Sequence, residues 1–148
     1  MKNFVFVVGF IIMHASAFAA GKDDISQRMH DYWGTYSGGE FGKAADFILP
    51  TDLSNMKTEL LPVFIDASQS TDPELQAVAK VFFSETPDGP DPEMSPAQVF
   101  VGFNRFIYAA NPELHSALQQ SIIEVTDVAW GSDSEAMVSH RITIQDTP

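Results

Sequence analysis

The apolar period of this chain changes once, near residue 120, and that change limits its fold more than any other feature. Up to Leu118 the apolar residues recur at steps of three and four, the mark of helices with one buried face. From Ser121 the steps become two. Ala136, Val138, His140, Ile142 and Ile144 share one face of an expected strand, and Met137, Ser139, Arg141 and Thr143 share the other. Ser121–Trp130 is rich in β-branched residues, and Gly131-Ser132-Asp133-Ser134 reads as a turn, so the end of the chain is a hairpin. Helices grouped before strands exclude an alternating parallel α/β sheet and point to α+β. A hairpin alone is marginal in water, so it has to pack on the helices or pair with strands that the sequence does not obviously contain.

The helices can be placed one by one. Asp23 or Asp24 is expected to cap the first, with Ile25, Met29, Tyr32, Trp33 and Tyr36 inward and Gly38-Gly39 ending it. A short second helix carries Phe41, Ala44, Ala45 and Ile48. A third, after Pro50, carries Leu53, Met56, Leu60 and Phe64, and Pro62 predicts a kink or a stop. Asp72-Pro73-Glu74 starts a fourth with Leu75, Val78, Ala79 and Phe82 at helical spacing. The proline-rich, acidic stretch from Thr86 to Pro96 reads as an irregular solvated loop. Ser95-Pro96 opens the next helix with Val99, Phe100, Phe103, Ile107 and Ala110 inward. Asn111-Pro112-Glu113 restarts a last one holding Leu114 and Leu118.

Residues 1–19 stand apart. Lys2, the apolar run Phe4–Met13 and the small-residue site Ala17-Phe18-Ala19 follow the order of a secretory signal peptide. The run is too short for an ordinary membrane span. The expectation is an exported, periplasmic or extracellular protein whose residues 20–148 form a single domain with no membrane attachment after cleavage.

Composition removes several functions. The 148 residues carry 20 acidic and 8 basic side chains, a net charge of −12, which disfavours neutralising nucleic-acid phosphates. Cysteine is absent, so disulfides, thiolate metal sites and cysteine nucleophiles are excluded together. No glycine-rich phosphate loop, GxSxG elbow or HExxH helix occurs, and the histidines show no local metal-ligand spacing. No metal and no cofactor is expected. The Glu85–Glu93 loop lacks the regular ligand spacing of a calcium loop.

Four kinds of residue remain as candidates. His140 sits among apolar neighbours on its strand face, which fits either a buried core histidine or a pocket-lining acid–base group. Asp127 and Glu124 fall on opposite faces of the preceding strand by parity, each either a solvated strand residue or a buried base. Arg141 points away from His140 and reads as a surface or salt-bridging residue. Tyr32, Trp33 and Tyr36 form an aromatic stripe, either core packing or the wall of a ligand cavity with a tyrosine hydroxyl as donor.

The stretch Gln27–Leu49, QRMHDYWGTYSGGEFGKAADFIL, resembles the opening of nuclear-transport-factor-2-like domains. These begin with a long helix, a Gly-Asp or Gly-Glu junction (here Gly39-Glu40) and a second helix (here with Phe41, Ala44, Ala45 and Ile48). Asn111-Pro112-Glu113-Leu114 followed by a hairpin with His140-Arg141 looks like an exported bacterial branch of that superfamily. The resemblance implies a cone, in which N-terminal helices pack on a curved antiparallel sheet around a pocket. The superfamily includes ketosteroid isomerase and scytalone dehydratase as well as non-catalytic binding modules, so fold alone does not assign an activity. Tyr32 falls where the isomerase branch carries its oxyanion tyrosine. The base of that branch lies on a strand after the second helix, and residues 50–64 read as helix instead, so it has no match. Such cones also carry further strands after the hairpin, so either earlier segments supply strands that read as helix or the C-terminal sheet is shortened; a shortened sheet would leave an apolar face uncovered, favouring a homodimer or poor stability.

Two functions follow. The first is non-catalytic binding of a small apolar ligand or a protein partner, with Tyr32, Trp33, Tyr36 and His140 lining the site. The second is a small lyase, isomerase or hydrolase using Tyr32 and His140, with Asp127 as its base. A purely structural, self-associating protein is a third and weaker reading.

Overall fold

Glycine 21 opens the first helix. In the computed structural model, which describes residues 5–6, 11–14, 21–86, 88–132 and 135–144, helix α1 spans Lys22–Ser37. The Asp24 carboxylate accepts the Gly21 N–H at 2.9 Å, and the Asp24 N–H reaches the Gly21 carbonyl at 3.1 Å. The expected aspartate cap is thus corrected by one turn position: Gly21 is the cap, and Asp24 reaches back to it from the first turn. The Ala17-Phe18-Ala19 motif, Pro87, Asp133-Ser134 and Gln145 lie outside the described residues.

The chain divides into two compact units, Met1–Leu49 with Glu113–Pro148, and Pro50–Pro112. The first, the hairpin unit, holds α1, α2 (Phe41–Ala45) and α6 (Pro112–Gln119, whose first residue belongs to the other unit). It also holds strands β1 (Val5–Phe6), β2 (Ile11–His14), β3 (Ser121–Ser132) and β4 (Glu135–Ile144). Ile25, Met29, Tyr32 and Trp33 of α1 are buried as their spacing predicts, and so are Phe41, Ala44 and Ala45 of α2. Gly39, at φ 79°, supplies the left-handed step after α1, and Glu40 N–H returns to the Thr35 carbonyl at 2.8 Å.

β3 and β4 form the antiparallel hairpin, and α1 packs on β3. Val138, His140 and Ile142 are buried and Met137 and Arg141 exposed, as alternation predicts. On its other edge β4 takes β1 (Val5 opposite Thr143) and β2 (Ile11 opposite Val138, His14 opposite Glu135), both antiparallel.

The second, helical unit is α3 (Pro50–Gln69), α4 (Pro73–Phe82) and α5 (Pro96–Ala110), each packed on the other two. Its core is Leu61, Phe64, Ala79, Phe82, Phe83, Met94 and Val99. The Phe64 and Phe82 rings stack with centroids 3.9 Å apart, and Phe106 meets Phe64 edge-on at 5.7 Å. Asp72 accepts the Glu74 N–H at 2.8 Å ahead of α4, and Ser95 and Gln98 form a reciprocal cap ahead of α5.

Three expectations change here. α3 runs through Pro62 to Gln69, so of the expected kink or stop the stop does not occur. Pro62 and Thr58, whose carbonyl loses its helical partner, are exposed, so water can satisfy it, while Leu61 and Phe64 hold the turn to the core. Leu75 is exposed despite its spacing, and so is Ala110 at the end of α5. The acidic loop is tethered, because Met94 is buried in the core and Asp91 accepts the Glu93 N–H at 2.8 Å.

Candidate functional site

The aromatic stripe of α1 is the first place to look for a pocket. Tyr32 lies 5.7 Å from Tyr36 and 6.2 Å from Phe47, ring to ring. Tyr36 lies 5.8 Å from Trp33 and 5.6 Å from Phe41. The Arg28 guanidinium sits 5.3 Å over the Phe47 ring. Trp33 Nε1–H donates to Ser121 Oγ at 3.1 Å, and that hydroxyl donates to the Leu118 carbonyl at 2.6 Å. Tyr36, Tyr32 and Trp33 therefore join α1 to α2, to the residues after α2 and to the start of β3 respectively. Burial pushes the Tyr36 hydroxyl above its usual pKa, so it stays protonated.

His140 is 3% exposed, and both of its ring nitrogens are buried without a hydrogen-bond partner. Burial pushes its pKa below the usual histidine value, and the nearby Val138 backbone offsets part of that. The imidazole is thus held neutral on the inner face of the hairpin, opposite Val125.

Asp127 is not beside it. The register shifts between Val125 and Asp127, a bulge at Thr126. Directly paired residues share a face, so Asp127, paired with Ser139, lies on the face opposite His140. The parity reading of Glu124 and Asp127 is corrected by the same bulge, since Glu124 pairs with Arg141 and both acids now lie on the outer face. Both are exposed, so neither is the buried base considered from sequence. Glu124 and Arg141 stand 3.5 Å apart as an exposed ion pair, as expected for Arg141.

An open cleft of about 520 Å³ lies along α1 and β3 in the same unit. Ile122, Ile123 and Val125 give it an apolar wall, and Ser26, His30, Glu124 and Thr143 add polar groups. Ser26 and His30 are four residues apart, one turn of α1, which places them together beside the buried Ile25–Met29 line. Sequence reasoning passed over both; the signal was a polar pair at helical spacing beside the apolar stripe. Two further clefts belong to the helical unit, one of about 480 Å³ between Leu61, Ile65 and Pro92, the other of about 490 Å³ beneath Gly89 and Pro90. Among the described residues no group of three or more histidine, aspartate or glutamate side chains could hold a metal ion, and no helix is long and apolar enough to cross a membrane.

No family model, curated protein or solved structure matches the chain.

Proposed function

We propose that this chain is an exported, non-catalytic binding module that holds a small apolar ligand in the cleft between α1 and β3. The observation that carries the reading is the cleft itself: about 520 Å³, with an isoleucine–valine wall and a few polar groups beside it. That volume falls within the ~300–1,000 Å³ of small-molecule sites, and the chemistry matches theirs, an apolar surface with sparse polar groups that orient the ligand. The ligand class is an apolar body with one hydrogen-bonding end for Ser26 or His30. The separation of His140 from Asp127 on opposite faces of the hairpin favours binding over acid–base catalysis. Export is supported by the order of Lys2, Phe4–Met13 and Ala17-Phe18-Ala19. The helix, Gly39-Glu40 junction and helix of α1 and α2 support the nuclear-transport-factor-2-like resemblance. A cone-like branch with a reduced C-terminal sheet is the fold proposed with it.

The test is a thermal-shift screen of the protein against fatty acids, sterols and aromatic alcohols. A ligand at about 100 times its Kd adds about 2.7 kcal/mol of stability. Ile122, 51% exposed, can be changed without emptying the core. Ile122→Glu and His30→Ala are expected to remove the shift while the unliganded melting temperature holds. A ligand-induced shift that survives both changes would sink this cleft as the site, and no shift with any compound class would sink the ligand reading.

A further inference from the structure

β4 is the central strand of its sheet, with β3 along one edge and Val5–Phe6 and Ile11–His14 along the other. Those two short strands belong to the stretch read as a signal peptide. Cleavage after Ala19 therefore removes what covers that edge. A bare edge presents unpaired N–H and C=O groups, a ready template for another strand. β4 carries little to blunt it, since Glu135–Ile144 contains neither proline nor lysine.

The charges on β4 name the occupant. Apart from buried His140, its titratable residues are Glu135 and Arg141, of opposite sign and six positions apart. Two β4 strands paired antiparallel about Val138 would set each Glu135 opposite the second copy's Arg141, and each Met137 opposite the second copy's Ser139. Opposite charges directly across a strand pair stabilise it. The two-fold operation makes the same contact twice, as a closed isologous interface requires. The Arg141 side chain is 51% exposed and meets Glu124 at 3.5 Å, so it has room for a second carboxylate.

We propose that the processed chain forms a two-fold dimer by edge-to-edge pairing of β4, and that its own N-terminal segment holds the same edge before cleavage. The inference rests on the export reading, and the experiment separates the two. The full chain is produced in an exporting bacterial host, its N-terminus is read by intact-mass spectrometry, and its molecular weight is read by sedimentation from 1 to about 100 μM.

A start at residue 20 with a concentration-dependent dimer is the expected result. A start at residue 20 with a monomer throughout overturns the dimer and leaves the export reading standing. An intact Met1 overturns both, since the edge is never freed. Met137→Lys brings cations together beside the two-fold axis and is expected to weaken the dimer about tenfold, as like charges across a strand pair repel. Glu135→Lys should weaken it similarly, and adding Arg141→Glu should restore it. A dimer indifferent to Met137→Lys, or not restored by the charge swap, overturns the β4 pairing.

Discussion

The two units solve the burial problem in different ways. The helical unit buries phenylalanines against one another, with caps supplied by residues next to the starts of α4 and α5. The hairpin unit buries Tyr32, Trp33 and a histidine without a hydrogen-bond partner, and it leaves Ile122, Trp130 and Met137 exposed on its strands. A sheet with a buried, unsatisfied imidazole and uncovered apolar side chains is where local rules yield to binding, and both proposals lie there.

The largest effect expected from a single change is therefore in the helical unit. Phe82 is 1% exposed and stacked on Phe64 at 3.9 Å. Phe82→Ala removes a ring whose neighbours cannot close the gap, so urea unfolding should show a loss of about 3–5 kcal/mol. Hydrogen exchange should quicken in α3, α4 and α5 more than in β3 and β4. Equal quickening in both units would show that they open together, and the comparison would fail.

Gly102 tests the same packing from the opposite direction. A Cβ there would stand 2.6 Å from the Phe82 carbonyl oxygen, a backbone atom that moves only with α4. Gly102→Ala should cost about 1–3 kcal/mol as overpacking, despite alanine's better helix propensity. A neutral or stabilising result in the same urea titration would mean that α4 and α5 are less closely held than the contact implies.

Sequence reading succeeded where the determinants are local. Asp72-Pro73 and Ser95-Pro96 carry cap and first turn in adjacent residues, so both starts were legible. The alternation of β4 was legible because one face is buried. Failures have tertiary causes. Pro62 stays within α3 because Leu61 and Phe64 anchor the turn around it. Asp127 changed faces because one extra residue at Thr126 shifts the register, and a bulge leaves no mark in the alternation. Met94 is buried within an acidic loop, which composition cannot reveal. Of the candidate site, the aromatic stripe was found and packs on Phe41, Phe47 and the start of β3, His140 was found with its burial, and the Ser26–His30 edge of the cleft was missed. That edge exists only once β3 is laid against α1.

The histidine gives the hairpin unit a pH dependence of its own. Burial lowers the folded-state pKa of His140. Below the ordinary histidine value the unfolded chain takes up a proton that the folded chain refuses, so stability falls as pH drops through that value. Above it the group contributes no slope. The added slope is at most about 1.4 kcal/mol per pH unit. His140→Leu should remove it and leave stability at pH 8 unchanged or slightly higher, since two unsatisfied nitrogens disappear. Denaturation of both proteins between pH 4.5 and 8 checks this; parallel curves would mean that His140 finds a proton partner in the folded state.

The smallest expected effect concerns the bond that ties α1 to the hairpin. Trp33 Nε1–H reaches Ser121 Oγ at 3.1 Å, and that oxygen spends its own proton on the Leu118 carbonyl at 2.6 Å. One hydroxyl thus joins the first helix, the end of α6 and the first residue of β3. Ser121→Ala leaves the Trp33 N–H and the Leu118 carbonyl without it at this partly buried site. The loss should therefore be about 1 kcal/mol, near the net worth of one hydrogen bond. Its location is more informative than its size. Amide exchange should rise in β3 and at the end of α6, while α3, α4 and α5 keep their protection. If the helical unit loosens as well, the contrast between an aromatic core and a hairpin held by a few polar ties does not describe this protein.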